Sequence, residues 1–203
     1  MQEFLQFDGG CPPRFFFFDT ETTGLPRNWK ASLYEVENWP RMVQLAWMMC
    51  DEQGNELASA SHIIQPDGYT IPDGAARVHG ITTERALAEG RPLREVVREA
   101  LVHIAGADHI VAHNISFDEK ILGAECLRLG LDNPFLKKNM RCTMREATDW
   151  CMLPGRNGYK FPNLGELHRL LFGRGFSDAH NAFADVRACK AAYYELRRIG
   201  VMK

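Results

Sequence analysis

The 203-residue sequence predicts one α/β domain built on a mixed sheet. Three observations carry that prediction. The run Arg14-Phe-Phe-Phe-Phe-Asp19 is short, apolar and aromatic, as suits a strand buried on both faces. Apolar stripes at helical spacing follow later in the chain. The segments come in the order three strands, helix, strand, helix, strand and then helices, which is the pattern of a layered α/β chain.

Taken in order, the second and third strands fall in residues 42–51 and 56–65, which flank a hairpin turn at Gly54-Asn55. After Pro92, the residues Leu93, Val96, Val97, Ala100, Leu101 and Ile104 form one amphipathic helical stripe. A fourth strand is expected at 109–113, a second helix at 116–129 and a fifth strand at 139–143. Thr143 and Asn163 are N-cap candidates for two further helices, the latter stopping at Gly173. The last helix is expected over 181–199, with Val186, Cys189, Tyr193 and Leu196 on one face. With no repeat, linker or low-complexity tract, the domain is expected to span 1–203.

Composition narrows the class. Apolar residues make up 45% and charged residues 25%, so disorder, collagen-like repeats and coiled coil are excluded as descriptions of the whole. No stretch approaches the ~20 apolar residues that span a bilayer. Residues 1–10 lack a positive, apolar signal pattern, so a soluble, cytoplasmic protein without a membrane partner is expected. The six cysteines, at 11, 50, 126, 142, 151 and 189, match no CxxC spacing. They read as reduced thiols, several of them buried, and not as zinc ligands. Net charge is −2, but residues 1–136 hold 11 Lys/Arg against 20 Asp/Glu, and residues 137–203 hold 13 against 6. A basic third beside an acidic two-thirds suits a polyanion held over an acidic site, although on composition alone ordinary helix-surface charge is the better account.

Three segments carry candidate chemistry. Asp19 and Glu21 stand at the end of the apolar strand, on one face of it, where two unpaired carboxylates repel and a divalent cation resolves the conflict, although a pair of acids at a strand end more often faces solvent or caps a helix. Asp118, in His113-Asn-Ile-Ser-Phe-Asp118, lies where a strand runs into a helix; viewed alone, the segment reads better as an ordinary helix start, with Asn114 or Ser116 as cap and Asp118 on the first-turn amides, than as part of a cleft shared with Asp19. In His180-Asn-Ala-Phe-Ala-Asp185, five positions separate His180 from Asp185, so His180 is placed in the loop or first turn before the last helix.

Read together, Phe18-Asp-Thr-Glu-Thr-Thr-Gly-Leu25, His113-Asn-Ile-Ser-Phe-Asp118 and His180-Asn-Ala-Phe-Ala-Asp185 resemble the DEDDh, or DnaQ-like, family of 3′–5′ exonucleases, the group that includes the proofreading subunit of bacterial polymerases. Val78-His-Gly-Ile-Thr82 is similar to the same family, and the resemblance runs over a core of about 14–197. The one departure is Ile115, where relatives often carry a smaller residue. The resemblance implies a ribonuclease-H-like fold, a five-stranded mixed sheet flanked by helices. It implies that Asp19, Glu21, Asp118 and Asp185 hold two divalent cations, Mg²⁺ or Mn²⁺, and that His180 is the general base, with activity falling as pH drops and the ring protonates. It places Thr22, Gly24, Leu25, His79, Asn114 and Phe117 on the substrate side. Leu25 is either a wedge against the terminal base or a core leucine, and His79 either touches substrate or stabilises a turn.

The loop Pro154-Gly-Arg-Asn-Gly-Tyr-Lys-Phe-Pro162 interleaves Arg156 and Lys160 with Tyr159 and Phe161, a pattern for phosphate contact and base stacking on what is by default a mobile surface loop. Trp29, Tyr34 and Trp39 are expected to pack. The expected activity is release of nucleoside monophosphates from single-stranded or frayed 3′ ends, of DNA before RNA, in repair or proofreading. An RNA-trimming enzyme of the same family and a non-catalytic nucleic-acid-binding module are the alternatives. The chain stops soon after its last helix, which favours a free-standing enzyme over one docked on a polymerase.

Overall fold

The computed structural model describes residues 12–177 and 180–203; Cys11 and the N-terminal stretch read above for a signal lie outside them. Five strands, β1 (Phe15–Thr22), β2 (Met42–Cys50), β3 (Glu56–Ile63), β4 (His109–Ala112) and β5 (Asn139–Cys142), form one sheet in the order β3-β2-β1-β4-β5. β2 pairs antiparallel with β1 and β3, whereas β1–β4 and β4–β5 are parallel. The sheet is therefore mixed and five-stranded, as expected. In the hairpin between β2 and β3, the Asp51 carboxylate accepts from the backbone N–H groups of Gln53 and Asn55, at 2.9 and 2.8 Å.

The helices cover both faces, which is why β1 has no polar side before Asp19. Seven α-helices occur among the described residues: α1 (Asp73–His79), α2 (Thr83–Glu89), α3 (Leu93–Ala105), α4 (Ile115–Arg128), α5 (Thr143–Cys151), α6 (Leu164–Phe172) and α7 (Ala182–Arg198). Phe16 and Phe18 point to one face, into a core with Trp47, Val97 and Ile104 of α3 and Ile121 and Leu122 of α4. Phe15 and Phe17 point to the other, against Leu167 of α6 and Val186, Tyr193 and Leu196 of α7. All four phenylalanines are buried, each stabilising the fold by about 1.5–3 kcal/mol. α1, through Ala75 and Ala76, and α2, through Ala86, join a small third cluster with Val43, Ile71 and the intervening Ile81.

Several expectations change. Thr143 is not an N-cap: Cys142 takes that place, and the buried Thr143 hydroxyl bonds instead to His113 Nδ1 at 2.9 Å. Asn163 does cap α6, in a reciprocal capping box with Glu166, and Gly173 ends it at φ +69°. Trp39 packs as expected, but Trp29 and Tyr34 are exposed, because burial of Trp39 and Ala31 closes their segment without them. The loop at 154–162 is pinned into a two-stranded ribbon, β6 (Pro154–Gly155) and β7 (Gly158–Tyr159), with Lys160 tied to Glu166. The five described cysteines are free and buried. Among the described residues no helix is long and apolar enough to cross a membrane.

Candidate active site

β1 delivers the first two carboxylates. Its alternation puts Asp19 and Glu21 on the face of Phe15 and Phe17, beneath α7. The N-terminus of α7 is fixed above them by two polar contacts. Asn181 caps the helix, its Oδ1 accepting from the N–H groups of Phe183 and Ala184. Gln44, paired with Glu21 across the strands and buried, accepts from the Ala182 N–H at 3.3 Å and donates to Ser61 Oγ at 3.1 Å. Asp185, in the first turn of α7, then meets the β1 pair: one carboxylate oxygen from each of Asp19, Glu21 and Asp185 lies within 4.8 Å of the others.

Asp118 comes from the first turn of α4, is 3% exposed, and has its Oδ1 held by Thr20, from the backbone N–H at 3.0 Å and the hydroxyl at 2.7 Å. All four acids hold protons more tightly than ordinary carboxylic acids. Burial, then repulsion from Asp118, Asp185 and Glu21, raises Asp19 well above the usual range. Burial followed by the charges of Asp185 and Asp118 lifts Glu21 to about 8. Asp118 is lifted to about 7 by burial, against the pull of the Thr20 bonds. Asp185 is lifted to about 6, also by burial, against its bond from the His180 backbone.

His180 sits in the loop just before α7, as its spacing from Asp185 predicted, and its N–H donates to Asp185 Oδ2 at 3.0 Å. Its φ of +69° is left-handed, as is the +64° of Asn114, and both residues line the cleft over the acids. This cleft has a volume of about 560 Å³. Asp19, Glu21, Asp118, Asp185, His180, Asn114 and Phe117 all line it. Thr22, Gly24, Leu25 and His79 stand outside its wall. The Thr22 hydroxyl donates to the Gly24 carbonyl at 2.7 Å, turning the chain at the end of β1, and Leu25 projects beyond it, 73% exposed. His79 Nδ1 accepts from the Ile81 N–H at 3.1 Å, which is the turn-stabilising contact.

Thr20, His113, Asn163, Leu164, Gly165, Arg169 and Phe176 complete the wall, and the sequence reading had placed none of them in the site. His113 faces the Pro162 carbonyl through Nε2 at 3.0 Å, so Nε2 carries the proton and Nδ1 accepts from Thr143. Burial pushes this ring down to about 4, and it stays neutral while tying the end of the ribbon loop to β4. Arg169 is, among the described residues, the one arginine or lysine on the cleft wall.

A four-carboxylate cleft at the end of the central strand of a mixed five-stranded sheet, flanked by helices, defines a nuclease-type protein of the ribonuclease-H-like fold. The exonuclease family RNase_T matches residues 16–193, and the chain belongs to that family. This agrees with the DEDDh resemblance of its motifs. No curated protein matches the chain. Among solved structures, E. coli exonuclease I in complex with a dT13 oligonucleotide is 22% identical with a TM-score of 0.70, covering 91% of this chain and 41% of that one. The zinc-bound form of the E. coli exonuclease I–ssDNA complex is 23% identical with a TM-score of 0.70, covering 94% and 41%. A third, E. coli exonuclease I with a 5cy-dT13 oligonucleotide, is 20% identical with a TM-score of 0.73, covering 94% and 42%. The chain thus spans about two fifths of the length of the structures it matches.

Proposed function

We propose that this chain is a metal-dependent 3′–5′ exonuclease that hydrolyses the terminal phosphodiester of single-stranded or frayed DNA and releases nucleoside monophosphates. The observation that carries the reading is the convergence of Asp19, Glu21 and Asp185 within 4.8 Å, with Asp118 close behind. Such a cluster fits divalent cations. Its donors are all hard carboxylate oxygens, and burial followed by repulsion between the acids raises the proton affinity of Asp19 and Glu21. Asp19, Glu21 and Asp185 would hold one cation, and Asp19 with Asp118 a second. Bound there, the cations would neutralise the phosphodiester and lower the pKa of the attacking water.

The remaining work falls to the chain. His180, exposed at the mouth of the cleft and free of side-chain hydrogen bonds among those described, accepts the proton of the attacking water at a ring nitrogen. Its backbone bond to Asp185 keeps that ring beside the acids. Arg169 meets a phosphate from the α6 wall, and Asn114 and Phe117 bound the terminal nucleoside. Leu25, exposed past the strand end, is placed to press on the terminal base. The exonuclease I structures named above hold single-stranded DNA, which favours DNA over RNA here.

The test is a ladder assay on 5′-labelled single-stranded DNA and RNA of matched sequence, with Mg²⁺, Mn²⁺ or chelator. Stepwise shortening that needs the metal and is lost in Asp19→Ala is expected, faster on DNA. Faster trimming of RNA moves the substrate assignment to RNA. No shortening of either strand with either metal leaves a nucleic-acid-binding module.

A further inference from the structure

Trp29 and Trp39 belong to one short segment and have opposite surroundings. Trp39 is 2% exposed, with Nε1 donating to the Ser32 carbonyl at 3.0 Å, whereas Trp29 is 52% exposed. That exposure is held in place. Asn28 and Asn38 clasp each other, the Asn28 N–H donating to Asn38 Oδ1 at 2.8 Å and Asn38 Nδ2 to the Asn28 carbonyl at 2.9 Å. The Lys30 N–H adds a bond to Asn28 Oδ1 at 2.9 Å, so both neighbours of Trp29 are fixed. The indole leans on Phe117, ring centroids 5.7 Å apart at 43°. Phe117 lines the carboxylate cleft and Trp29 does not, so Trp29 is the next ring outward.

On the exonuclease reading, the terminal nucleotide sits over the carboxylates with Phe117 beside it. Trp29, leaning on the outer side of Phe117, is then the ring that the next base meets. We propose that Trp29 is the stacking wall for that base, extending the Phe117 surface to a second nucleotide of a single strand. The inference rests on the exonuclease reading of the cleft. A rigid, half-exposed indole suits the task because every base has a π-face, and stacking then favours unpaired strands without selecting sequence.

Two substrates separate this role from the chemistry: a dT oligomer, and the p-nitrophenyl ester of thymidine 5′-monophosphate, which has no second base. In Trp29→Ala the ratio of kcat/KM for oligomer over ester is expected to fall roughly 5- to 150-fold, chiefly through KM, and Trp29→Phe to recover most of it. On an Asp19→Ala background, anisotropy of a 5′-labelled dT oligomer is expected to show a matching loss of affinity on adding Trp29→Ala. An unchanged ratio with normal ester hydrolysis overturns the Trp29 role and leaves the exonuclease standing. So does an equal loss on both substrates, which means that Trp29 only shapes Phe117. If the wild type hydrolyses neither substrate the exonuclease reading falls, and the anisotropy comparison alone decides Trp29: equal affinities, or no binding, overturn it.

Discussion

Two groups of buried acid lie on this fold, and only one is neutralised by the protein itself. Glu125 on α4 is 0% exposed, yet Arg41 Nε stands 2.9 Å and Arg128 Nη1 3.2 Å from its Oε1, and the Met42 N–H adds a bond at 2.9 Å. Arg128 in turn donates to the carbonyls of Val36 and Trp39, so the group stitches the 28–39 segment to α4. At the end of β1, four carboxylates converge; burial raises every one of them, and repulsion from neighbouring acids adds to it at Asp19, Glu21 and Asp118. An acid buried with its cation holds the fold together; acids buried without one are held in place by the fold, for a partner that comes from outside.

The sharpest break of this comparison is a pair of variants. Asp19→Ala is expected to lower activity by roughly 10³-fold or more, since several kcal/mol of charge stabilisation depend on cations it would hold. Its melting temperature in chelator is expected to stay level or rise, because a repulsive acid is gone. Glu125→Ala is expected to do the reverse. It leaves Arg128 without its carboxylate and lowers stability by about 3–5 kcal/mol in denaturant titration, with activity per folded molecule largely kept. A stabilising role for Asp19 in chelator would sink the contrast.

The pH dependence of stability separates the two groups next. Glu21, near 8, and Asp185, near 6, hold protons more tightly in the fold than in the unfolded chain, where carboxylates titrate near 4 to 4.5. Their contribution is fully present below about pH 4 and is lost as pH rises through 6 to 8. In chelator the melting temperature is therefore expected to fall across that window, and added Mg²⁺ or Mn²⁺ to restore it. A shallower fall in Glu21→Gln, with the Asp185 part kept, would assign the effect to the cluster.

The smallest effect concerns Gln44. Gln44→Leu removes the contact that sets the start of α7, and with it the reach of Asp185. About a tenfold loss of activity is expected with a stability change near 1 kcal/mol, read by kinetics and denaturant titration together.

Much of this was legible in the sequence, for identifiable reasons. Four phenylalanines in a row need two apolar faces, the stripe from Leu93 to Ile104 fits only a helix, and Asn163 with Glu166 and Gly173 marks both ends of α6. The four carboxylates were legible as one set only through the family resemblance of their motifs; spacing alone put Asp19 and Glu21 on one face and left Asp118 and Asp185 as ordinary residues of helix first turns. α1 and α2, seven residues each, are too short to show a period, although the Thr82 side chain accepting from the Arg85 N–H is an ordinary cap signal. Thr143 was misread because its hydroxyl bonds to His113, thirty residues away, which no local pattern reports. Gln44 carries no signal of its own, because one polar residue in the 42–51 strand does not report that its amide will meet the N–H of Ala182 far along the chain. Trp29 was taken for core because composition cannot say which of two tryptophans closes a segment and which is left on the rim.

The position of β1 has a consequence in time as well as in space. It is the middle strand, bonded along its length to β2 and over Phe15–Phe17 to β4, so its amides belong to the part of a protein that exchanges with solvent only when the whole chain opens. The amide of His180 rests on one bond, to Asp185. The cleft therefore joins a slow wall to a fast one. Local opening can be confined to the helix side, while the Asp19–Glu21 edge keeps its place.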